Sequence, residues 1–395
     1  MSAPAADLTV KIATGLGAVP APDWDACANP PALNGAAAPA HNPFTTHAFL
    51  SSLEDSGCVG GRSGWRPAHV LVEDADGRLL GAVAAYVKSH SMGEYVFDHA
   101  WADAYERAGG SYYPKVQAGV PFTPATGRRL LLAAGVDAPR VTEALVAGLR
   151  ALRARMDASS IHVTFLPREE WETLGEAGFL LREDKQFHWE NAGYGNFDEF
   201  LEALASRKRK MIRRERRDAL ANGITIEHIT GRDLTEAHWD AFYSFYEDTG
   251  SRKWGRPYLN RRFFSLIGER MADQILLVMA RREGRFVAGA INFIGGDTLF
   301  GRNWGCIEEH PFLHFEVCYY QAMDFAIARG LKRVEAGAQG EHKLARGYAP
   351  TLTYSAHDIP DPGFNRAVAD YLKRERRAVE AMAQELVEFT PFRKG

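Results

Sequence analysis

The chain is poor in the residues that make disulfide frameworks and metal knots: its 395 residues include four cysteines, Cys27, Cys58, Cys306 and Cys318. They show no paired metal spacing, so reduced thiols in a cytoplasmic protein are expected. Also absent is any apolar run long enough to span a bilayer, and Met1 to Pro22 has no basic region followed by an apolar core. No membrane insertion is therefore expected. Net charge is small, the chain summing to −3. What is present, 46% hydrophobic and 25% charged residues, is the composition of an ordinary soluble globular protein, long enough for two or more domains.

One stretch breaks that balance. Ser206 to Arg217 carries Arg207, Lys208, Arg209, Lys210, Arg213, Arg214, Arg216 and Arg217, opposed only by Glu215. Eight cations against one anion make +7, and with the whole chain at −3 the remainder carries −10. Phe197, Phe200, Leu201, Leu204, Met211 and Ile212 recur at the spacing of one helical face, so the period predicts a single basic helix. Asn196 caps it with Glu199 in reply, Asn222-Gly223 stops it, and Ile224 opens a strand. Like charges this close repel unless an anion offsets them, which makes Arg209 and Arg213 candidate ligands for phosphate or nucleic acid. A solvated charged face is the alternative.

Elsewhere the chain reads as two similar halves. Residues 1–41, rich in Ala, Pro and Asn, read as a loosely packed segment. Phe49, Leu50 and Leu53 then suit a helix ended by Gly57, and Ala68 to Glu73 with Arg78 to Lys88 reads as a hairpin through Asp76-Gly77. Val141, Leu145, Leu149, Leu152 and Met156 mark a helix, Ile161 to Phe165 a strand, and Glu169 to Ala177 a helix stopped by Gly178. The second half replays the order: a hairpin through Glu283-Gly284, a strand at Thr298 to Trp304, a helix traced by Phe315, Tyr319, Ala322 and Met323 and closed by Gly330, then a strand from Arg333.

Two local echoes support duplication. Gly77 to Ala82 resembles Gly284 to Ala290, and Gly178-Phe179 precedes His188 by the interval that separates Gly347-Tyr348 from His357. The echoes are offset by 207 and 169 positions, so the first half holds about 38 extra residues, the size of Ser89 to Thr126. The expected domains are 42–192 with an insertion at 89–126, 193–360 opening on the basic helix, and a C-terminal helix in 361–395 serving as a cap or subunit contact. The insertion, which also holds Asp98, is aromatic, polar and aperiodic, which suits a loop closing over a polar acceptor through His90, Glu94, Tyr112, Tyr113 and Lys115; packing between the halves is the alternative. Thr249 to Leu259, with Trp254 and Tyr258, reads as a second substrate loop whose cations favour an anionic ligand.

This order of strands and helices, ending each time in Gly-Phe or Gly-Tyr, resembles the Gcn5-related N-acetyltransferase fold. That fold is α/β with mixed sheets, and two tandem copies resemble the Fem-type aminoacyltransferases of peptidoglycan assembly. Arg209, Ile212, Arg213, Gly223 and Ile224 match the basic helix and following strand of those proteins. The closer resemblance is to the FemAB-like family of predicted bacterial N-acyltransferases. It rests on Asn42-Pro43-Phe44, on His90 to Asp98, Tyr112 to Lys115, Pro121 to Pro124, Leu313 to Tyr320 and Gly337 to Tyr348.

The resemblance implies transfer of an acyl or aminoacyl group from an activated carrier to an amine, a small molecule or cell-wall precursor, in a cleft between the tandem domains. Acyl-coenzyme A and aminoacyl-tRNA are the donors it suggests. Coenzyme A-dependent acetyltransferases place a glycine-rich loop before the main helix to cradle pyrophosphate, whereas Cys306 to Leu313 contains no glycine, so another carrier stands equally open. By the same resemblance Lys343 lies near the transferring carbonyl, with Arg346 of the same string on the substrate; an ordinary surface lysine is the alternative.

His314 and Glu316 begin the second-half helix as candidate general bases, His314 preferred because its ordinary pKa lies near neutrality. His310 and His314 stand four apart, but Pro311 more readily starts a helix than continues one, and no metal is expected. Three readings remain: an N-acyltransferase, an aminoacyl-tRNA-dependent transferase acting on a peptidoglycan precursor, or a non-catalytic protein whose basic helix binds nucleic acid or an acidic partner.

Overall fold

Alternating and 3.6-residue apolar periods sort the chain into strands and helices in a computed structural model that describes residues 7–32, 37–254, 257–337, 340–388 and 390–393, with backbone alone at 251–254, 341, 383–384 and 387–388. In chain order the first elements are β1 (Thr9–Ala13), α1 (Ala21–Ala28), α2 (His47–Asp55), β2 (Trp65–Pro67), β3 (His69–Glu73), β4 (Leu79–Val83) and β5 (Ala85–Lys88). Then come α3 (His99–Arg107), β6 (Lys115–Ala118), β7 (Leu131–Leu132), α4 (Ala138–Arg155), β8 (Ile161–Leu166), α5 (Arg168–Glu176) and β9 (Leu180–Glu190). The next are α6 (Phe197–Ala203), α7 (Ser206–Ala219), β10 (Thr225–Thr230), α8 (Glu236–Trp254), α9 (Arg261–Met271), β11 (Ile275–Arg282), β12 (Arg285–Ile294) and β13 (Thr298–Cys306). The last are α10 (Leu313–Phe315), a π-helical turn (Glu316–Tyr320), α11 (Gln321–Ala328), β14 (Arg333–Glu335), β15 (Ala349–Asp358) and α12 (Pro362–Glu388).

Two compact units result, Met1–Asp184 with Thr353–Ala378, and Lys185–Leu352 with Val379–Gly395. The first holds an antiparallel sheet β1-β3-β4-β7 and a run of strands ordered β15-β8-β6-β5-β2, in which β6 and β8 are parallel. Helix α4 buries Val141, Leu145, Leu149 and Leu152 in one cluster with Val70, Val72 and Val83. Gly148 marks the closest approach: a Cβ there would stand 2.6 Å from Val70 Cγ1 and 2.8 Å from Val10 Cγ1.

In the second unit the strands run β10-β11-β12-β13-β14, followed by the Glu190 end of β9. Leu276, Val278 and Ala280 on one face join Phe200, Leu201, Ile212, Val317 and Met323 in a single core. The opposite face, where a Cβ on Gly289 would meet Met279 and Phe242, carries α8. That helix packs on α9 through Trp239 and Phe264, rings 5.8 Å apart.

The sequence-based expectations need five corrections. Residues 7–32 are not loose, since Trp24 and Cys27 are fully buried and the Trp24 indole donates to Thr45 O at 2.8 Å. Ser89 to Thr126 is not a loop outside the fold: it supplies α3, and β6 lies between β5 and β8. The basic helix is two helices, because extended Leu204 bridges Phe392 while Ala205 N donates to Pro391 O and Arg393 N to Ala203 O. The compact units divide inside β9, β15 and α12 rather than at 192/193 and 360/361. Finally, Thr249 to Trp254 continues α8 instead of forming a loop.

The turns themselves match. Gly77 and Gly284 take φ of +80° and +78°, and Gly178 and Gly347 take +89° and +91°.

Candidate functional site

Strand β13 pairs with β12 from Leu299 to Cys306, but with parallel β14 only from Thr298 to Phe300. After Glu335 the chain turns instead toward β9, Ala336 N donating to Phe187 O and Phe187 N to Gly337 O, both at 3.1 Å. Gly337 takes φ +74° at that turn. Strands β13 and β14 therefore splay, and among the described residues no strand pairs with Gly301–Cys306 on the β14 side. An open strand edge can accept the amide groups of an extended ligand.

Lys343 stands where the splay begins. It lies on a six-residue 3-10 turn, Glu341–Arg346, flanked by Gly340 and Gly347 at φ +103° and +91°. Its ammonium donates to Ala336 O at 2.5 Å and Gly337 O at 3.2 Å. Burial lowers its pKa from 10.5 to about 8. The neighbouring residue of the chain, His342, belongs to a cluster with Trp304 of β13, His314 and Tyr319. The His314 ring is 5.3 Å from Trp304, 5.4 Å from Tyr319 and 6.3 Å from His342, and the Tyr319 hydroxyl meets His342 Nε2 at 3.0 Å. His314 is half-buried, next to the π-helical turn, a distortion that is frequent at functional sites.

Glu316 is already engaged by neighbouring side chains. It is fully buried; its carboxylate accepts from Arg216 at 2.9 and 3.2 Å and from Gln321 Nε2 at 2.6 Å. Arg346 is likewise not free for substrate. It donates to Glu215 at 2.7 and 3.1 Å and to His342 O at 2.7 Å, with its guanidinium 3.5 Å from the centre of the Phe315 ring. Glu215 thus ties the 3-10 turn to α7, and Arg216 ties the π turn to it.

The rest of α7 is divided. Arg213 pairs with exposed Asp198 at 3.1 Å, and Arg214 and Arg217 share Asp218. The side chains of Arg207, Lys208, Arg209 and Lys210 have no hydrogen-bond or ion-pair partner among the described residues. The Arg213 pair is exposed on both sides and contributes at most about 1 kcal/mol.

The five first-unit candidates turn inward. Lys115 is fully buried and donates to Ser91 Oγ at 2.8 Å, to Glu94 Oε2 at 2.7 Å and to Asp98. Tyr112 donates to Asp98 at 2.6 Å, Tyr113 meets Ser91 Oγ at 2.8 Å, and His90 leans on Ser63 O at 3.0 Å. Burial alone would raise the Asp98 carboxyl, but the Lys115 ammonium overrides it and holds the group well below the usual carboxylate range. Glu94 is pushed up by burial. This is a buried ionic cluster, in which Glu94 Oε1 and Asp98 Oδ1 have no hydrogen-bond partner among the described residues.

Sequence reasoning missed three members of that cluster, Lys88, His162 and His357. Lys88 lies 3.7 Å from Glu94, with its pKa lowered by burial to about 7. His162 and His357 touch Nδ1 to Nδ1 at 2.7 Å, and burial lowers both imidazoles. A lysine closing the otherwise apolar strand Ala-Tyr-Val-Lys was the available signal for Lys88.

Tyr258 is 38% exposed. The side chain of Trp254 lies outside the described residues, as do Gly255, Arg256, Ala338 and Gln339. Among the described residues no group of three His, Cys, Asp or Glu side chains could hold a metal ion, and no helix is long and apolar enough to cross a membrane.

A family described as peptidoglycan biosynthesis/recognition matches residues 15–394. No curated protein matches. Among solved structures, FemX is similar over 88% of this chain and 97% of its own, with TM-score 0.52 and 12% identity. L-PGS from Bacillus licheniformis is similar over 84% and 98%, with TM-score 0.50 and 10% identity. A tandem GNAT protein from the clavulanic acid biosynthesis pathway covers 90% and 99%, with TM-score 0.45 and 12% identity. Likeness at such identities is likeness of fold alone, here helices packed on mixed sheets.

Proposed function

We propose, for a chain that belongs to the FemAB-like family, that it transfers an acyl or aminoacyl group from an activated carrier to an amine on a peptidoglycan building block. The observation that carries this reading is Lys343, buried and aimed at the carbonyls that end β14, beside the open edge of β13. Attack of an amine on an acyl carbonyl builds negative charge on oxygen, and a fixed ammonium at that point stabilises it. With its pKa near 8, the same ammonium can also give a proton to the leaving group. His314, half-buried with its ring 6.3 Å from that of His342, is the better candidate to take the proton from the attacking amine.

The run Arg207 to Lys210 favours a polyanionic donor, which supports an aminoacyl-tRNA over a small thioester; acyl-coenzyme A is the second donor of this reading. Incubating the protein with each donor and a peptidoglycan precursor peptide, with product mass as the readout, tests it. Lys343→Ala should lower turnover by roughly a hundredfold to a thousandfold, in the range of a lost oxyanion donor. Full turnover of that variant on a substrate the wild type uses would refute the role of Lys343.

A further inference from the structure

Cationic side chains also face a cavity in the first unit, away from any residue named so far as a ligand. Between α2 and β2 the chain runs Gly57-Cys58-Val59-Gly60-Gly61-Arg62-Ser63-Gly64-Trp65-Arg66. Gly57, Gly60, Gly61 and Gly64 take φ of +77°, +93°, +52° and +74°, a conformation open to glycine at little cost. They wrap the chain around a cavity of about 490 Å³ whose lining includes Thr14, Glu54, Gly60, Gly61, Arg62 and Arg66.

The loop is held in shape. Gly60 N donates to Trp65 O at 2.8 Å and Ser63 N to Gly60 O at 3.0 Å, while Trp65 N donates to Ser63 Oγ at 3.2 Å. Those bonds leave the N–H groups of Gly61 and Arg62 without a hydrogen-bond partner among the described residues. Arg62 is exposed and has no ion-pair partner among them either. Among the described residues the Arg66 guanidinium donates only to Met156 Sδ, at 3.1 Å, a weak acceptor. Glu54 is the acid in the lining, and its oxygens are already bonded to His69 Nε2 and Leu16 N, both at 2.8 Å.

We infer that this glycine loop binds the phosphate group of a phosphate ester. Two guanidinium forks supply charge-assisted donors at the spacing of phosphate oxygens, and two adjacent backbone N–H groups add fixed dipoles. Missing Cβ atoms at Gly60 and Gly61 let an oxyanion approach the backbone. The ester is either a soluble metabolite or a lipid headgroup, since both present the same oxygens. The site does not depend on the acyl-transfer reading, which rests on the other unit.

The test uses the full chain, titrated calorimetrically with inorganic phosphate and glycerol phosphate, and sedimented with phosphatidylglycerol or phosphatidylcholine vesicles. Saturable phosphate binding should weaken about tenfold or more in Arg62→Gln/Arg66→Gln. It should persist in the variant with Arg207, Lys208, Arg209 and Lys210 changed to glutamine, which separates this site from α7. Amide resonances of Gly61 and Arg62 should shift on adding phosphate, a readout independent of the variants. Glycerol phosphate binding without vesicle capture would assign a soluble ester, and loss of phosphatidylglycerol capture in the double variant a headgroup. A flat titration, or affinity unchanged in the double variant, would overturn the site.

Discussion

Replacing Lys115 by methionine keeps most of the stem and removes the charge from the centre of the first unit. The ammonium is fully buried, and its loss strands the carboxylates of Glu94 and Asp98, leaving Lys88, 3.7 Å from Glu94, as the nearest cation. Breaking a buried ion pair from one side costs about 3–5 kcal/mol because the partner stays buried and unpaired. Two stranded carboxylates place Lys115→Met at the upper end of that range. An exposed pair such as Arg213 with Asp198 should cost below about 1 kcal/mol on the same change. With a urea slope of about 2–3 kcal/mol per molar, the Lys115→Met midpoint should fall by roughly 1.7–2.5 M. Tryptophan fluorescence is a direct probe, since Trp65 packs against Lys88 and Trp101 against His357. A fall below about 0.4 M with an unchanged slope would mean that the cluster is not the dry, paired core described.

Lys88 gives a pH signature with a definite sign. Its pKa is lowered from 10.5 to about 7 by burial, so between these values the unfolded chain binds more protons and stability rises with pH. Melting temperature should climb from pH 7 toward 10, and Lys88→Met should flatten the climb. For Lys343, ammonium below about 8 and amine above it, turnover should fall as pH rises through 8, and Lys343→Arg should push that limb beyond 10; a wild-type profile level to pH 9.5 excludes the cationic role. If α7 meets a polyanion, changing Arg207, Lys208, Arg209 and Lys210 to glutamine should reduce the slope of log affinity against log salt by roughly 3, and an unchanged slope would remove α7 from the contact. Gly148→Leu should destabilise by about 2 kcal/mol through overpacking against Val70 and Val10, measured by the same urea titration.

Much of the fold was legible because it rests on local physics. Asp76-Gly77 and Glu283-Gly284 have no good alternative to a turn, and Asn196 caps a helix wherever Glu199 N is within reach of its side chain. The errors share a cause. Leu204 fits a helical face, and only the bonds from Pro391 and Arg393, nearly two hundred residues on, show that the backbone opens there. Ser89 to Thr126 looked like a loop because its strand β6 begins with a lysine, a residue that a strand core accepts only when carboxylates are brought to it.

The candidate site shows the same limit. Lys343 stood out by its neighbours in the chain, but nothing local to Glu316 or Arg346 reveals that each is already engaged. Glu316 is met by Arg216 from 100 residues away and Arg346 by Glu215 from 131. Period, caps and turns are set over a few residues, so the amino-acid order alone determined the helices, hairpins and the duplicated plan. Which cations stay free to meet a ligand depends on the acids that folding carries to them, and for α7 only the tertiary structure decided that four of its eight would.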